Sequence, residues 1–258
     1  MVLPLRDDNS DSTSWPVVNT VFIVINVLVF VLFQGFGENV GFTYAFSTVP
    51  AEILSGKDIV TVPVAAEAPL EQDDQPPGLL RTPIPVYLTI FTAMFMHGSI
   101  MHLLGNMWFL WIFGDNIEND FGKARYTIFY LLCGVLATLA HVFTNMSPPN
   151  SLIPSLGASG AISGVMGAYL LLHAQRRVTV LLLRVVMDVP GYVAVGLWFL
   201  FQLISGLGAL GGGGDGVAYG AHIGGFIAGA ALAPLFMLGR PKKVARSPSY
   251  GSPRSYAS

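Results

Sequence analysis

The chain has 258 residues, of which 53% are hydrophobic and 11% are charged, and its mean hydropathy is +0.61. Because soluble domains are about 25% charged, this composition excludes an ordinary soluble domain and indicates a polytopic membrane protein. Cys133 is the single cysteine, so the chain has no internal disulfide and no cysteine pair typical of a metal or redox site. We expect no cofactor, no metal ion and no nucleic acid among its partners, and we expect the lipid bilayer as its surroundings.

The first part of the chain predicts a short polar segment followed by a membrane span. Residues 1–15 are polar and acidic, and we expect them to form a cytosolic N-terminal segment. No positively charged stretch precedes the first apolar run, so the sequence does not predict a cleavable signal peptide. A membrane domain is predicted over residues 16–238, and its first span, 17–34, is just long enough to cross the hydrocarbon core.

A long loop and five further spans follow. Residues 35–83 mix acidic residues with prolines and predict a long, partly mobile loop. Residues 84–96 are apolar but number only 13 and include Pro85, which is typical of a re-entrant or interfacial segment. The remaining spans are predicted at 99–117, 125–145, 157–174, 190–207 and 217–238. The tail, 239–258, is predicted to be disordered and cytosolic. The predicted fold class is an all-α membrane protein, a six-helix bundle with a long outer first loop.

The positions of lysine and arginine predict the orientation of this bundle. With six spans, the N-terminus, the second and fourth connections and the C-terminus share one side. That side carries eleven of the 13 basic residues, and the other side carries only Lys57 and Arg81. The positive-inside rule therefore puts both termini in the cytosol and the long acidic loop outside. This arrangement fits a bacterial plasma membrane, and an organellar membrane is the alternative.

The stretch Gly157–Gly160 is the strongest local signal of chemistry. Ser159 stands between small residues at the predicted start of a helix inside the membrane. A helix N-terminus supplies unpaired N–H groups and partial positive charge, which favour a developing oxyanion. The alternative is a packing role, because glycine and serine also let transmembrane helices approach closely.

Three polar residues from three predicted spans are expected to lie at one depth. Asn106, Ser159 and His222 precede the basic residues at the cytosolic ends of their spans by 17, 17 and 18 residues. At 1.5 Å per residue, each lies roughly 26 Å above those charges, and His102 lies one turn further out than Asn106. Polar residues at such depth usually face the bundle interior or a water-filled cavity. Serine with histidine is the minimal pair of nucleophile and base.

Glycines predict how Ser159 and His222 meet. One predicted span carries Gly160 and Gly164, and another carries Gly225 and Gly229 in a small-xxx-small pattern that permits close backbone approach. These glycines adjoin the serine and the histidine, so we expect helix contact at the site of chemistry.

At this point the sequence resembles the rhomboid family of intramembrane serine proteases. His102–Asn106 (HLLGN) resembles the family's HxxxN motif, Gly157–Gly160 (GASG) its GxSG motif, and Ala221–Gly225 (AHIGG) its AHxxG motif. The resemblance covers about residues 17–238, without most of the 35–83 loop. It implies proteolysis of a transmembrane protein substrate near its outer end.

The resemblance also implies the roles of individual residues. Ser159 would be the nucleophile and His222 the general base and acid, with no third carboxylate. His102, Asn106 and the Ser159 N–H would hold the oxyanion. Well-known members carry an aromatic residue packed on the histidine one turn after the serine. Here that position is Ser163, so the support of the His222 ring must come from elsewhere.

Several features of the sequence allow other interpretations. A non-catalytic relative that binds transmembrane clients has the same fold but lacks the serine or the histidine. The string Gly212–Asp215 matches the GxGD of intramembrane aspartyl proteases, but its partner candidate, Asp188, is expected at the opposite membrane face. The glycine-rich stretch 206–216 predicts either a mobile cap or a plain connector. Aromatic residues in the fifth predicted span resemble the family's lateral gate, or else face lipid or core.

Overall fold

The computed structural model describes residues 2–10, 12, 14–61, 78–182, 184–210 and 218–240. Its α-helices are α1 Val17–Leu28, α2 Val40–Phe46, α3 Pro50–Ser55, α4 Thr89–Thr92, α5 Ile100–Phe121, α6 Lys123–Thr144, α7 Ser159–Leu172, α8 Gly191–Leu210 and α9 Tyr219–Phe236. A π-helical turn, Val29–Phe33, prolongs α1. Three strands are β1 Val2–Asp7, β2 Arg177–Leu182 and β3 Val185–Pro190.

The chain is mostly helical and carries candidate membrane spans. Within the described ranges, α6 and α9 are by themselves long and apolar enough to cross a membrane. A third candidate is α5 together with the segment Val86–Phe95, from which it bends by 78°. Three further apolar helices, Val17–Phe33, Ser159–Leu172 and Gly191–Leu207, are shorter. A helical membrane protein is therefore confirmed, while the count of six spans stays a prediction.

The long loop and the short apolar segment after it contain local structure. Helices α2 and α3 lie in the first part of the predicted 35–83 loop, and its residues 62–77 lie outside the described part of the chain. Asn39 caps α2 by accepting a hydrogen bond from the Phe42 N–H at 3.1 Å. The apolar segment forms only short helical turns, from Val86 to Phe95, before the chain bends into α5.

Helix α7 is the central helix of the bundle. Ten consecutive residues, 160–169, are buried, so every face of this stretch packs against protein. At 1.5 Å per residue, its 14 residues span about 21 Å, less than the ~30 Å hydrocarbon core. The non-helical chain before α7 is hydrogen-bonded to its surroundings: Thr48 and Ser155 exchange backbone bonds of 3.0 and 2.8 Å, and the Gly157 N–H donates to the Ala93 carbonyl at 2.9 Å. Such pairing is what permits irregular backbone at membrane depth.

Helices α7 and α9 approach so closely that their backbones touch. A Cβ atom added at Gly229 would collide with the Gly164 carbonyl, and one added at Gly225 would collide with the Gly160 carbonyl. Gly164 also faces Cys133 of α6, whose Cβ would lie 2.5 Å from an added methyl. The absence of side chains at these positions sets the spacing between the two helices.

A small antiparallel sheet, in the order β1-β2-β3, departs from the purely helical chain that we predicted. Strand β1 comes from the polar N-terminal segment, and β2 and β3 form the connection between α7 and α8. The sequence signal for strands was the β-branched residues of β2 and β3. In β2, Val178 and Val180 are buried and alternate with more exposed neighbours. A pairing between residues 2–7 and 178–182 is too distant in sequence for local patterns to reveal.

Polar contacts join β1 to the helices. Asp7 accepts hydrogen bonds from the Tyr169 hydroxyl at 3.1 Å and from Asn116 Nδ2 at 2.6 Å, and Arg176 donates to Asn116 Oδ1. Burial raises the pKa of the Asp7 carboxyl, and these hydrogen bonds together with the nearby Arg176 charge oppose that shift. The N-terminal segment is thereby attached to α5 and α7.

Glu118 joins the end of α5 to the start of α1. Its two carboxylate oxygens accept hydrogen bonds from the Val18 N–H at 3.0 Å and the Asn19 N–H at 2.7 Å, which are otherwise unpaired donors of the first turn. The Asn19 side chain in turn accepts from the Tyr126 hydroxyl at 2.7 Å. Residues of three helices are thus held together at this end of the bundle.

We predict that Gly229→Ala destabilises the protein by about 1–3 kcal/mol, because the added methyl overpacks the backbone contact between α7 and α9. The measurement is thermal unfolding of the purified protein in detergent. The matched control is Gly196→Ala in α8, where an added Cβ meets nothing within 4 Å among the described residues. Equal melting temperatures for the two variants would contradict the close contact.

Candidate active site

Ser159 and His222 are joined by a direct hydrogen bond. Ser159 Oγ lies 2.8 Å from His222 Nε2, and both residues are partly buried. Ser159 is the first residue of α7, and His222 lies in the first turn of α9. The glycine-mediated contact of these two helices continues directly from the pair, because Gly160 and Gly225 follow it along each helix. A hydroxyl bonded to an imidazole is the arrangement that activates a serine for nucleophilic attack.

The turn before α7 requires a glycine. Gly157 has a φ of +130°, a backbone conformation that residues with a side chain rarely adopt. A Cβ at this position would also lie 2.9 Å from Cε1 and 3.0 Å from Nε2 of the His102 ring. Gly157 therefore permits both the sharp entry into α7 and the close approach of His102 to the turn that carries Ser159.

His102 and Asn106 lie one turn apart in α5. The Gly98 N–H lies 3.4 Å from His102 Nδ1, a long hydrogen bond that favours the tautomer with its proton on Nε2, the atom that faces Gly157. Asn106 is 8% exposed, and its Nδ2 has no hydrogen-bond partner within the part of the chain that the structure describes. A buried donor without a partner is costly, and a binding role for a group that is not part of the chain is one explanation for such a donor.

The ring of His222 contacts a residue of α8 that the sequence motifs do not include. Gln202 Oε1 lies 2.8 Å from His222 Nδ1, and the Gln202 side chain is buried. The rings of Trp198 and Tyr219 lie 6.2 and 6.3 Å from the imidazole, centroid to centroid. Ser163 occupies the position at which well-known family members carry an aromatic residue, and its hydroxyl donates a hydrogen bond to the Ser159 carbonyl at 2.6 Å. The sequence did contain one signal for this contact: Gln202 is an amide in an apolar helix, where a polar side chain is costly unless it has a partner.

The other histidines make separate contacts. His97 is fully buried, its ring lies 5.0 Å from that of His102, and Gln34 bonds to its backbone N–H and carbonyl. His141 of α6 contacts Asn145, which follows that helix, and His173 Nε2 lies 2.7 Å from an Asp120 carboxylate oxygen. Of the two aspartates in the aspartyl-protease alternative, Asp188 lies in β3 and Asp215 lies outside the described residues, as do positions 211–216 of the glycine-rich stretch.

A small cavity adjoins Ser159. Its volume is about 20 Å³, and its lining includes Gly157, Ser159, Thr138 and Ala221. A volume of roughly 10–15 Å³ already accommodates one water molecule when polar groups are within reach. The site thus has room for a water molecule next to the serine.

The fold and the site define a helical membrane protein with a paired serine and histidine at the contact of two helices. The Rhomboid domain model matches residues 85–239, which is more than half of the chain. The chain therefore belongs to the rhomboid family.

Curated relatives fall within the same family. The chain is 32% identical over 145 residues to rhomboid protease GluP of Bacillus subtilis, which covers 55% of this chain and 25% of that protein. It is 40% identical over 82 residues to the mitochondrial RHOMBOID-like protein 6 of Arabidopsis thaliana, covering 31% and 25%. It is 33% identical over 100 residues to the mitochondrial presenilin-associated rhomboid-like protein A of Danio rerio, covering 38% and 26%. The matches span about a quarter of each of these relatives.

We predict that Gly157→Ala lowers the rate at which a fluorophosphonate labels the protein by about tenfold or more. The added methyl meets the His102 ring and strains the turn that positions Ser159. Labelling is measured by in-gel fluorescence in detergent or in vesicles. The matched control is Gly105→Ala, also close to His102 in sequence, where an added Cβ has no neighbour within 4 Å in the described chain. Parental labelling of Gly157→Ala would contradict the assigned role of this turn.

Proposed function

We propose that this protein is an intramembrane serine endopeptidase that cleaves transmembrane segments of membrane proteins near their outer ends. The observation that carries the proposal is the 2.8 Å hydrogen bond between Ser159 Oγ and His222 Nε2. Membership of the rhomboid family, which includes a relative named as a protease, supports the same activity.

In the proposed reaction, His222 Nε2 takes the proton of the Ser159 hydroxyl while Oγ attacks the carbonyl carbon of the scissile peptide. The carbonyl oxygen becomes an oxyanion, and three donors would stabilise it: the Ser159 N–H at the start of α7, Asn106 Nδ2 and His102 Nε2–H. The protonated His222 then gives its proton to the leaving amine, which produces an acyl-enzyme at Ser159. A water molecule, activated by the same imidazole, hydrolyses that ester and restores the serine.

The unpaired Asn106 donor fits this role well. Nδ2 is buried and lacks a partner among the described residues, so it is preorganised for a charge that appears only during the reaction. The cavity beside Ser159 offers space for the hydrolytic water.

We further propose a six-span arrangement with both termini in the cytosol of a bacterial plasma membrane. Strand β1 pairs with β2, which follows α7, and Arg240 after α9 donates to the Asp120 carbonyl at the end of α5. These contacts gather the N-terminal segment, the α7–α8 connection and the chain after α9 at one end of the bundle, as the distribution of basic residues predicts. The relatives include mitochondrial and bacterial proteins, and a mitochondrial membrane is the alternative location.

We predict that Ser159→Ala and His222→Ala each abolish cleavage of a reconstituted transmembrane substrate, because each removes one partner of the nucleophile–base pair. The substrate is a fluorogenic transmembrane peptide with helix-breaking residues near its outer end, assayed in proteoliposomes. Melting temperatures close to that of the parent protein would show that folding is intact. Cleavage by either variant would refute the pair. Client binding without any cleavage by the parent protein would favour the non-catalytic reading.

We also predict that Asn106→Ala lowers kcat by about 10²–10³ and leaves KM nearly unchanged, because its hydrogen bond forms only with the oxyanion. Steady-state kinetics in proteoliposomes separate the two constants. The control is Asn145→Ala at the end of α6, whose side chain contacts His141 rather than the Ser159–His222 pair. A change confined to KM would argue against the oxyanion role.

A further inference from the structure

The side chain of Gln202 closes a chain of hydrogen bonds from Ser159 through the imidazole of His222. Ser159 Oγ lies 2.8 Å from Nε2, and Gln202 Oε1 lies 2.8 Å from Nδ1 on the other side of the ring. The three residues come from three helices, α7, α9 and α8. Gln202 is 7% exposed, so its amide is not a solvated surface group.

We propose that Gln202 is a positioning residue for His222 and that it fixes the imidazole as the Nδ1–H tautomer. An amide oxygen accepts, so it binds Nδ1 only when that nitrogen carries the proton. Nε2 then presents its lone pair to the Ser159 hydroxyl, which is the arrangement that a general base requires. This inference rests on the proposed proteolytic function for its kinetic consequences, but the tautomer itself does not depend on that function.

An amide suits this place better than a carboxylate would. Gln202 is neutral, so it can lie in an apolar helix without the cost of an unpaired charge inside the membrane. Its oxygen still interacts favourably with the imidazolium that forms when His222 takes the serine proton, because hydrogen bonds to a charged group are stronger than neutral ones. Gln202 thus orients the histidine, as the aspartate does in a Ser-His-Asp triad, but it carries no negative charge.

The contact between Gln202 and His222 depends on how α8 packs against α9. Trp198, Gln202 and Gly206 follow each other at intervals of four residues and therefore share one face of this helix. Trp198 lies against His222, and Gly206 lies against Tyr219, where an added Cβ would be 3.1 Å from Tyr219 Cβ. The face that carries Gln202 therefore packs on the first turn of α9, and the hydrogen bond to His222 Nδ1 forms while α8 is in this position.

The kinetic test compares Gln202→Met with Gln202→Glu. Methionine keeps the length of the side chain and removes the acceptor, so we expect kcat to fall about 10- to 100-fold with little change in KM, and the acid limb of the pH–rate profile to move to lower pH. Glutamate keeps an acceptor oxygen and adds a negative charge beside the imidazolium. We expect it to retain activity above the acid limb and to move that limb to higher pH by about one unit or more.

The matched control is Gln34→Met, the same substitution at another buried glutamine, which bonds to the backbone of His97. It removes buried amide hydrogen bonds without touching Nδ1 of His222. We expect a lower melting temperature and an acid limb at the parental pH. If Gln202 were merely structural, both of its variants would behave like this control, and opposite displacements of the acid limb would not appear.

A second measurement needs neither cleavage nor a Gln202 variant. In ¹⁵N-histidine-labelled protein, the His222 signals are assigned by comparison with His222→Ala, and the ring ¹⁵N shifts report the tautomer. We expect the parent protein to show Nδ1–H at neutral pH. An Nε2–H tautomer in the parent protein would overturn the proposal, as would displacement of the acid limb in the same direction by both variants.

Different results would refute the proteolytic function and the role of Gln202. A parent protein that neither cleaves nor reacts with a fluorophosphonate would remove the proteolytic function, and the ¹⁵N shifts would still decide the tautomer. A parent protein that cleaves normally but has the Nε2–H tautomer would remove only the role of Gln202.

Discussion

The contact between the backbones of α7 and α9 is the constraint on which the rest of the site depends. Gly160 and Gly164 face Gly225 and Gly229 so closely that a single methyl group would collide with a carbonyl. Only this spacing lets a short serine side chain reach an imidazole across the helix contact at 2.8 Å. In a bilayer, helices gain little from hydrophobic burial against each other, so close packing and polar bonds must hold them together. The same glycines therefore account for the closeness of the helix contact and for the hydrogen bond between Ser159 and His222.

The cost of polar groups in the membrane explains the arrangement around this contact. Ser159, His222 and Gln202 each come from a different helix, and two hydrogen bonds connect them: one between Ser159 and His222 and one between His222 and Gln202. The irregular chain before α7 bonds to Thr48 and Ala93, so that its backbone is paired although it is not helical. Asn106 Nδ2, in contrast, is a buried donor without a partner in the described chain. A buried unpaired donor one turn from His102 fits the proposed oxyanion position, where negative charge would exist only during a reaction.

At the opposite end of the bundle, hydrogen bonds among polar side chains and a strand pairing hold the elements together. There the polar residues form bonds among themselves: Glu118 caps α1, and Asp7 of β1 accepts from Asn116 and Tyr169. Strand β1 adds an edge to the β2–β3 hairpin, so the N-terminal segment is part of the folded protein. These contacts fix α1, α5 and α7 relative to each other at one end. Helix α8 contacts the Ser159–His222 pair through the Gln202 amide and through the Trp198 ring, so the proposed chemistry depends on the position of this helix.

The sequence by itself determined the helical membrane class, the approximate places of the helices, and the residues Ser159, His222, His102 and Asn106 as candidates. These follow from hydropathy, from the local motifs and from helix rise, all of which are properties of neighbouring residues. Tertiary structure alone decided which atoms meet: the hydrogen bond between His222 and Gln202, the pairing of β1 with β2 and the bend before α5. The partners in these contacts lie about 20 to 180 residues apart, and a local pattern contains no information about which distant side chain completes a hydrogen bond.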